Sequence, residues 1–175
     1  MIQTLCGIFL NGDKMKLKEN SIKIKGQVRI ILNDAKTNKT IKDTGWINNV
    51  VPTIGRTALA KVMAGVATLA NAGEITYCAV GTGTVVPNIT GIKLTTEIDR
   101  VPISTASTNV DNEVQIRAFF TTTQGNGVLK ELGLFGENAT AIADSGTMFQ
   151  WILFDVEKTT GETMTVLSKI PINYE

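Results

Sequence analysis

The chain has 175 residues, a formal net charge of +1, 43% hydrophobic residues and 19% charged residues. This length suits one domain with its own core, and the near-zero charge does not favour nucleic acid or an acidic membrane surface as a partner. Two cysteines do not make a disulfide framework, and no apolar run is long enough to span a membrane. The absence of histidine excludes Ser-His-Asp and Cys-His nucleophile systems and, with so few cysteines, the common zinc sites.

The first third of the chain predicts an extension followed by a β-hairpin. We expect residues 1–14 to be either a poorly ordered N-terminal extension or a mis-assigned start before Met15, and residues 15–175 to form a single β-rich domain. The apolar stretch 22–32 predicts a strand, residues 33–38 have turn chemistry, and residues 40–51 predict the returning strand. Lysines concentrate at this end without interleaved aromatic residues, which indicates a solvated strand face and not a surface for nucleic acid.

One segment has the pattern of an amphipathic helix. Residues 52–65 begin with a predicted N-cap, Thr53, and end at Gly65, which favours the left-handed conformation that stops a helix. One stripe of this helix is apolar, and we expect it to cover one opening or face of a sheet. The members of the stripe are Ile54, Ala58, Leu59, Val62 and Met63.

The rest of the chain predicts short strands joined by turns and loops. Further candidate strands cover 76–80, 101–105, 147–156 and 162–172, and loops of small or polar residues precede 101 and 147. Pro171 has no N–H to donate, so we expect the last strand to lie at an edge or to end there. The predicted fold class is mainly β: an antiparallel β-sandwich or partly open barrel of about eight strands with one short amphipathic helix.

The stretch from Asn112 to Phe135 predicts a central hairpin. Asn126-Gly127 joins two apolar runs, and a tight type I′ turn needs positive φ at both of its central residues. A turn at this place sets Phe120 opposite Gly133, where the bare glycine leaves room for the ring. We expect this hairpin to form the centre of the core.

The glycine-rich segments predict turns and not a phosphate site. A P-loop places a lysine and then Ser or Thr after its glycines, whereas Val85-Val86-Pro87 follows here. We predict structural turns at Gly81, Gly83, Asn126, Gly127 and Gly133. No catalytic, cofactor-binding or metal-ligating residue is predicted, and no cofactor is expected.

Glu131 is the acidic residue in the middle of the second strand of the predicted hairpin. In the predicted hairpin it faces Thr122 at the surface, where it could pair with Arg117 or Arg100. Such a pair is either a surface ion pair within one chain or a contact between subunits. Glu131, Arg100 and Arg117 are therefore the candidate subunit-contact residues.

Three segments resemble one family: YCAVGTGTVVP, then LTTEIDR, and then NGVLKELGLFG with DSGTMFQWILF. Over residues 45–172 the chain resembles structural proteins of tailed bacteriophages and prophages, particularly the small β-rich attachment domains of tail and tail-fibre (collar-type) proteins. Fibre proteins normally continue into shafts or host-binding tips, so the resemblance implies the adaptor-sized domain alone. The matching positions are Ala79, Val80, Gly81, Thr82, Gly83, Pro87, Leu94, Glu97, Arg100, Glu131, Leu132, Gly133, Leu134 and Phe135.

The resemblance implies a non-enzymatic structural protein of a tailed phage particle. We expect an adaptor in the tail, collar or baseplate region that forms a homo-oligomer and contacts other virion proteins of the tail, the portal-proximal region or the capsid. Its location would be the virion, after assembly in the host bacterial cytoplasm, without direct contact to nucleic acid and without membrane insertion.

Two alternatives to a tail adaptor remain open. Within the same class, the chain could be a capsid-surface decoration or a head-fibre anchor. From a different class, a carbohydrate-binding module would require exposed Trp or Tyr side chains, so burial of Trp46 and Trp151 would count against it. An enzyme is the least favoured class because the residues for catalysis are missing.

Overall fold

The computed structural model describes residues 22–66, 73–110 and 112–174. The predicted extension 1–14 therefore lies outside the described residues. The elements in chain order are β1 (Ile22–Ile24), β2 (Gln27–Asp34), β3 (Thr40–Asp43), β4 (Ile47–Asn48), α1 (Thr53–Met63), β5 (Ile75–Gly81), β6 (Glu97–Val110), β7 (Glu113–Phe120), β8 (Gly127–Gly136), β9 (Thr147–Lys158) and β10 (Glu162–Tyr174).

The strands form an antiparallel sheet that curves into an open half-barrel. The main path runs β3-β2-β10-β7-β6-β5-β8-β9, while β1 pairs with β10 and β4 pairs with β2. Beyond β4, Val50 forms one antiparallel bridge with Trp151 of β9, so this segment links the two ends of the path. The mainly β class, the single short helix and the first hairpin are confirmed, and of the two predicted architectures the structure has the partly open barrel.

Two cores lie on opposite faces of β5, β8 and β9. The inner core fills the half-barrel and contains Val80, Phe120 and Leu132, all fully buried. The outer core lies on the other face and contains Phe135 and Trp151. Because successive side chains of a strand point to opposite faces, strands that are buried on both sides need apolar residues at both parities. This explains the continuous apolar run of β8.

The predicted hairpin across Asn126-Gly127 is wrong. β7 pairs with β10 and β6, and β8 pairs with β5 and β9, so β7 and β8 are not neighbours in the sheet. Residues 121–126 instead carry the chain from one part of the sheet to another, and Gly125 and Gly127 have φ angles of 58° and 118°. Tertiary pairing overrides the local turn signal because β5 and β9, together with the two cores, bury β8 on both faces.

The other predicted turns are also placed differently. Gly81 is the last residue of β5 and Gly133 lies inside β8, so neither is a turn, while Gly83 belongs to the loop after β5. A Cβ on Gly133 would lie 2.7 Å from Cε2 of Phe135. The missing side chain thus makes room for a ring, as expected, but the ring comes from the same strand and not from Phe120.

The helix α1 confirms the predicted segment and its end. Pro52 takes the N-cap position that was predicted for Thr53, and no side chain caps the first turn. Gly65 adopts the left-handed conformation, with φ of 66°, two residues after the helix ends.

The contact face of α1 differs from the predicted stripe. Its buried residues are Gly55 and Ala58, and a Cβ on Gly55 would lie 2.8 Å from the carbonyl oxygen of Met148. The helix backbone therefore packs directly against β9, which requires small residues at the contact. Met63, predicted to be in the apolar stripe, is 84% exposed.

β10 lies inside the sheet and continues to Tyr174, contrary to the prediction that it lies at an edge or ends at Pro171. Pro171 faces Glu113 of β7. On the other side, the ladder with β2 ends at Lys169 and the ladder with β1 begins at Ile172, in the same register. The missing N–H of Pro171 therefore coincides with the gap between β1 and β2, so no ladder bond is lost there.

Candidate functional site

Two loops cover the outer core, and we term them loop A and loop B. Loop A comprises residues 82–96 between β5 and β6, and loop B comprises residues 137–146 between β8 and β9. At the surface a salt bridge of 2.7 Å joins Lys93 Nζ of loop A to Asp144 Oδ2 of loop B. Loop A also contacts the start of α1, where the Thr53 N–H donates to the Ile89 carbonyl oxygen at 2.8 Å.

Glu131 of β8 anchors loop A from below. Its side chain is fully buried, although burial of a carboxylate is costly unless the charge is paired or hydrogen-bonded. Oε1 accepts the N–H of Gly83 at 3.1 Å and of Thr96 at 2.7 Å. Oε2 accepts the N–H of Thr95 at 3.0 Å and the indole N–H of Trp151 at 3.1 Å. Four donors thus compensate the buried charge and fix both ends of loop A.

Gly81 at the end of β5 and Gly83 at the start of loop A are required by the close approach of the other end of the loop. A Cβ on Gly83 would lie 2.3 Å from Oε1 of Glu131. A Cβ on Gly81 would lie 2.3 Å from the carbonyl oxygen of Thr96. These glycines therefore provide space around the carboxylate.

Arg100 of β6 anchors loop B. It forms a two-pronged ion pair with Glu97, in which Nη2 lies 2.7 Å from Oε2 and both side chains are only 2% exposed. Its Nη1 donates to the carbonyl oxygens of Thr140 at 3.0 Å and Ser145 at 3.1 Å. The guanidinium also lies 4.9 Å from the ring centre of Phe135. Loop B is therefore held by a buried charged group, as loop A is.

The two loops expose large aliphatic side chains, which we term the apolar rim. Single exposed aliphatic residues are ordinary on protein surfaces, but a group of them on adjoining loops is typical of an interaction surface. The Lys93–Asp144 salt bridge brings the two loops together beside this group. The apolar rim consists of Val85, Val86, Ile89, Ile92 and Ile142, each exposed by half or more.

The surface positions predicted for Glu131 and Arg100 are wrong. Both side chains are buried, and each binds partners within the chain that are different from those predicted. For Glu131 the reason is that β8 is covered on both faces, so its side chain faces Trp151 of the outer core and not solvent. Arg117 is exposed on β7, and its role in a subunit contact stays a prediction.

A second exposed feature is a groove of about 310 Å³ on the outer face of β6, β7 and β10. Trp46, Glu113, Arg117 and Lys169 are among its lining residues. Trp46 is 41% exposed, and Lys169 Nζ lies 4.4 Å from its ring centre. Trp151 is buried in the outer core, so only one of the two tryptophans is available to a ligand.

Groups for metal binding do not come together in the described part of the chain. No three His, Cys, Asp or Glu side chains of the described residues are arranged to hold a metal ion. The thiol of Cys78 is completely buried, and burial raises its pKa above the ordinary range, so it is not an accessible nucleophile. No helix in the described ranges is long and apolar enough to cross a membrane.

Sequence reasoning missed the apolar rim. The segment around Pro87 and Gly91 has turn residues and was predicted to be a loop, as was the segment of small residues around Ile142. Apolar residues within a predicted loop, such as Val86 and Ile89, were the available signal. Their exposure depends on anchors that are distant in sequence.

Comparison of the chain with family models, curated proteins and solved structures identifies no match. The geometry of the two loops and the resemblance seen in the sequence are therefore the basis for a functional proposal.

Proposed function

We propose that the chain is a non-enzymatic structural protein of a tailed phage particle, an adaptor of the tail, collar or baseplate region that assembles through contacts between subunits. The observation that carries this proposal is that buried charged groups hold two loops which expose the apolar rim. A surface that is already ordered loses little conformational entropy on association. An apolar and ordered surface is therefore well suited to repeated contacts in a symmetric assembly.

The residues that carry the resemblance to phage attachment domains lie close to the apolar rim in the fold, which supports the proposal. They lie on β5, β6 and β8 or in loop A, and several of them hold the two loops in place. Those with a direct role in the anchoring are Gly81, Gly83, Glu97, Arg100 and Glu131.

The use of the buried charges supports a structural and non-enzymatic role. Glu131 directs its carboxylate oxygens at N–H donors of its own chain, and Arg100 is occupied by Glu97 and loop B. Catalytic groups must be able to reach a substrate, whereas these groups are saturated by internal partners.

Two other assignments compete with a tail adaptor. A capsid-surface decoration or head-fibre anchor would use the same apolar rim, and only the location in the particle distinguishes it. A carbohydrate-binding module would use the groove at Trp46, but a single aromatic ring with Lys169 stacked on it offers little platform for a sugar.

Phage particles purified from the strain that carries the gene test the assignment. We expect mass spectrometry to find the chain in the particles and immunogold electron microscopy to place it on the tail. Label on the head would favour the decoration or head-fibre alternative. Absence of the chain from intact particles would contradict the proposal as a whole.

The apolar rim is tested with purified protein. We expect a homo-oligomer by light scattering, and we expect the double variant Val86→Lys, Ile142→Lys to be monomeric because it places charges in the buried part of the contact. Ile41→Lys is the matched control, since Ile41 is also exposed but lies on β3. An oligomer that survives the double variant would show that the apolar rim is not the contact.

A further inference from the structure

Lys158 is a buried lysine at the end of β9. Its exposed fraction is 1%, and it forms no salt bridge with any of the described residues. In the β8–β9 ladder it stands opposite Gly127, the residue that follows Asn126. A buried ammonium group without an ion-pair partner is unusual, and it requires an explanation in the groups around it.

The amine of Lys158 lies against the side-chain carboxamide of Asn126. Nζ is 2.8 Å from Oδ1 of Asn126 and 2.8 Å from the carbonyl oxygen of Thr121. The other end of the carboxamide is also fixed, because Nδ2 donates to the carbonyl oxygen of Thr122 at 2.9 Å. A potential nucleophile thus lies at hydrogen-bond distance from the oxygen of a carboxamide that is fixed at both ends, and positioning of this kind favours reaction between the two groups.

The surroundings favour the reactive form of the amine. Burial lowers the pKa of Lys158, which increases the fraction of neutral amine, although the charges of Glu162 and Asp99 partly oppose this effect. Gly125, the residue before Asn126, packs against Phe120 of the inner core. A neutral lysine in such a place is a nucleophile.

A carboxylate, that of Asp99, is bound to the segment that carries Asn126. Asp99 Oδ2 accepts the N–H of Gly125 at 2.6 Å, and Gly125 directly precedes Asn126. Asp99 is therefore fixed on the backbone of the residue next to Asn126, and its charge acts on Lys158. It can take a proton from the attacking amine and return it to the leaving nitrogen.

We propose that Lys158 and Asn126 react to form an intramolecular isopeptide bond. The neutral Nζ attacks Cγ of Asn126, a new C–N bond forms, and the bond between Cγ and Nδ2 breaks with its electron pair on Nδ2. The proton lost by the amine passes through Asp99 to Nδ2, which leaves as ammonia. The reaction needs no oxidant, reductant or cofactor.

The bond would join the end of β9 to the connection between β7 and β8. β8 and β9 are neighbours in the sheet, whereas β7 lies in another part of it, so the cross-link would tie the inner core at the end where Phe120 and Leu129 are buried. A covalent link of this kind restricts the unfolded chain and limits separation of the strands under force.

Intact mass of the purified full-length chain under denaturing conditions tests the proposal. We expect the wild type to be lighter than its sequence mass by one ammonia, and Lys158→Arg and Asn126→Ala to show no such loss. Lys42→Arg is the matched control, because Lys42 also donates to an oxygen of β9, at 2.8 Å, but has no carboxamide partner. This control should keep the loss of ammonia.

Two further measurements complete the test. Asn126→Asp should lose one water in place of one ammonia, since a carboxyl group then supplies the electrophilic carbon. Tandem mass spectrometry of a wild-type digest should show a branched peptide that links positions 126 and 158. A folded wild type that keeps its full mass after prolonged incubation would overturn the proposal, as would a loss of ammonia that persists in Lys158→Arg.

Discussion

The carboxylate of Glu131 has four N–H donors and no counter-ion among the described residues. We expect Glu131→Gln to lower the free energy of unfolding by about 1–3 kcal/mol, because the amide NH₂ group must face at least one N–H donor and leave it unsatisfied. Equilibrium unfolding in urea would measure the change. Glu157→Gln, at an exposed position of β9, is the matched control and should stay within about 0.5 kcal/mol of the wild type.

Hydrogen exchange would separate a local effect from a global one. In Glu131→Gln the amides of Thr95 and Thr96 should exchange faster than in the wild type, while amides of β10 keep their relative protection. If Glu131→Gln were as stable as the Glu157→Gln control, the carboxylate would not be the anchor of loop A.

At the scale of single residues, the sequence indicated which residues are structurally important, but it did not indicate which groups they contact. Glu131, Arg100 and Gly83 were all singled out, but Glu131 was expected at the surface. Its donors Gly83 and Thr96 lie 48 and 35 residues away in the chain, so no local pattern contains them. Only the pairing of β8 with β5 brings these groups together.

At the scale of elements, α1 and β9 make the closest contact between a helix and the sheet. We expect Gly55→Ala to lower the melting temperature, because the new Cβ would lie 2.8 Å from the Met148 carbonyl oxygen and 2.9 Å from Phe149 Cα. The expected clash of about 1–3 kcal/mol exceeds the gain in helix propensity of about 1 kcal/mol. Thermal unfolding followed by circular dichroism would measure the shift.

A matched helix variant separates propensity from packing. Thr57→Ala changes an exposed residue of α1, so it should raise the melting temperature slightly through propensity alone. An equal rise in Gly55→Ala would show that the helix can move away from β9 without cost.

The element scale also shows where prediction from sequence stops. The helix α1, the first hairpin and most strands follow from periodicity and from turn residues. The order of the strands does not, because the Asn126-Gly127 signal describes a local preference and the burial of β8 on both faces depends on the whole sheet. The same limit applied to Pro171, whose lost donor falls at a gap between two partners.

At the scale of the whole molecule, the half-barrel is held together across its interior as well as along its ladders. Ser168 of β10 donates its hydroxyl to Oε1 of Gln150 of β9 at 2.7 Å, although β9 and β10 are far apart in the order of the sheet. Both side chains are buried, and Nε2 of Gln150 has no hydrogen-bond partner among the described residues. This bond connects the middle of the sheet to its far edge, beside the bridge of Val50 with Trp151.

A pair of variants tests whether this bond helps to close the half-barrel. Ser168→Ala should lower the free energy of unfolding by about 1–3 kcal/mol, because it removes the one hydrogen-bond partner that the buried Gln150 carboxamide has in the described part of the chain. Adding Gln150→Met should recover most of the loss, since both polar groups are then absent and methionine has a similar length and no branch. Urea unfolding of the wild type, both single variants and the double variant gives the coupling between the two positions. Purely additive changes would mean that the two sides of the half-barrel are held by their ladders and apolar contacts alone.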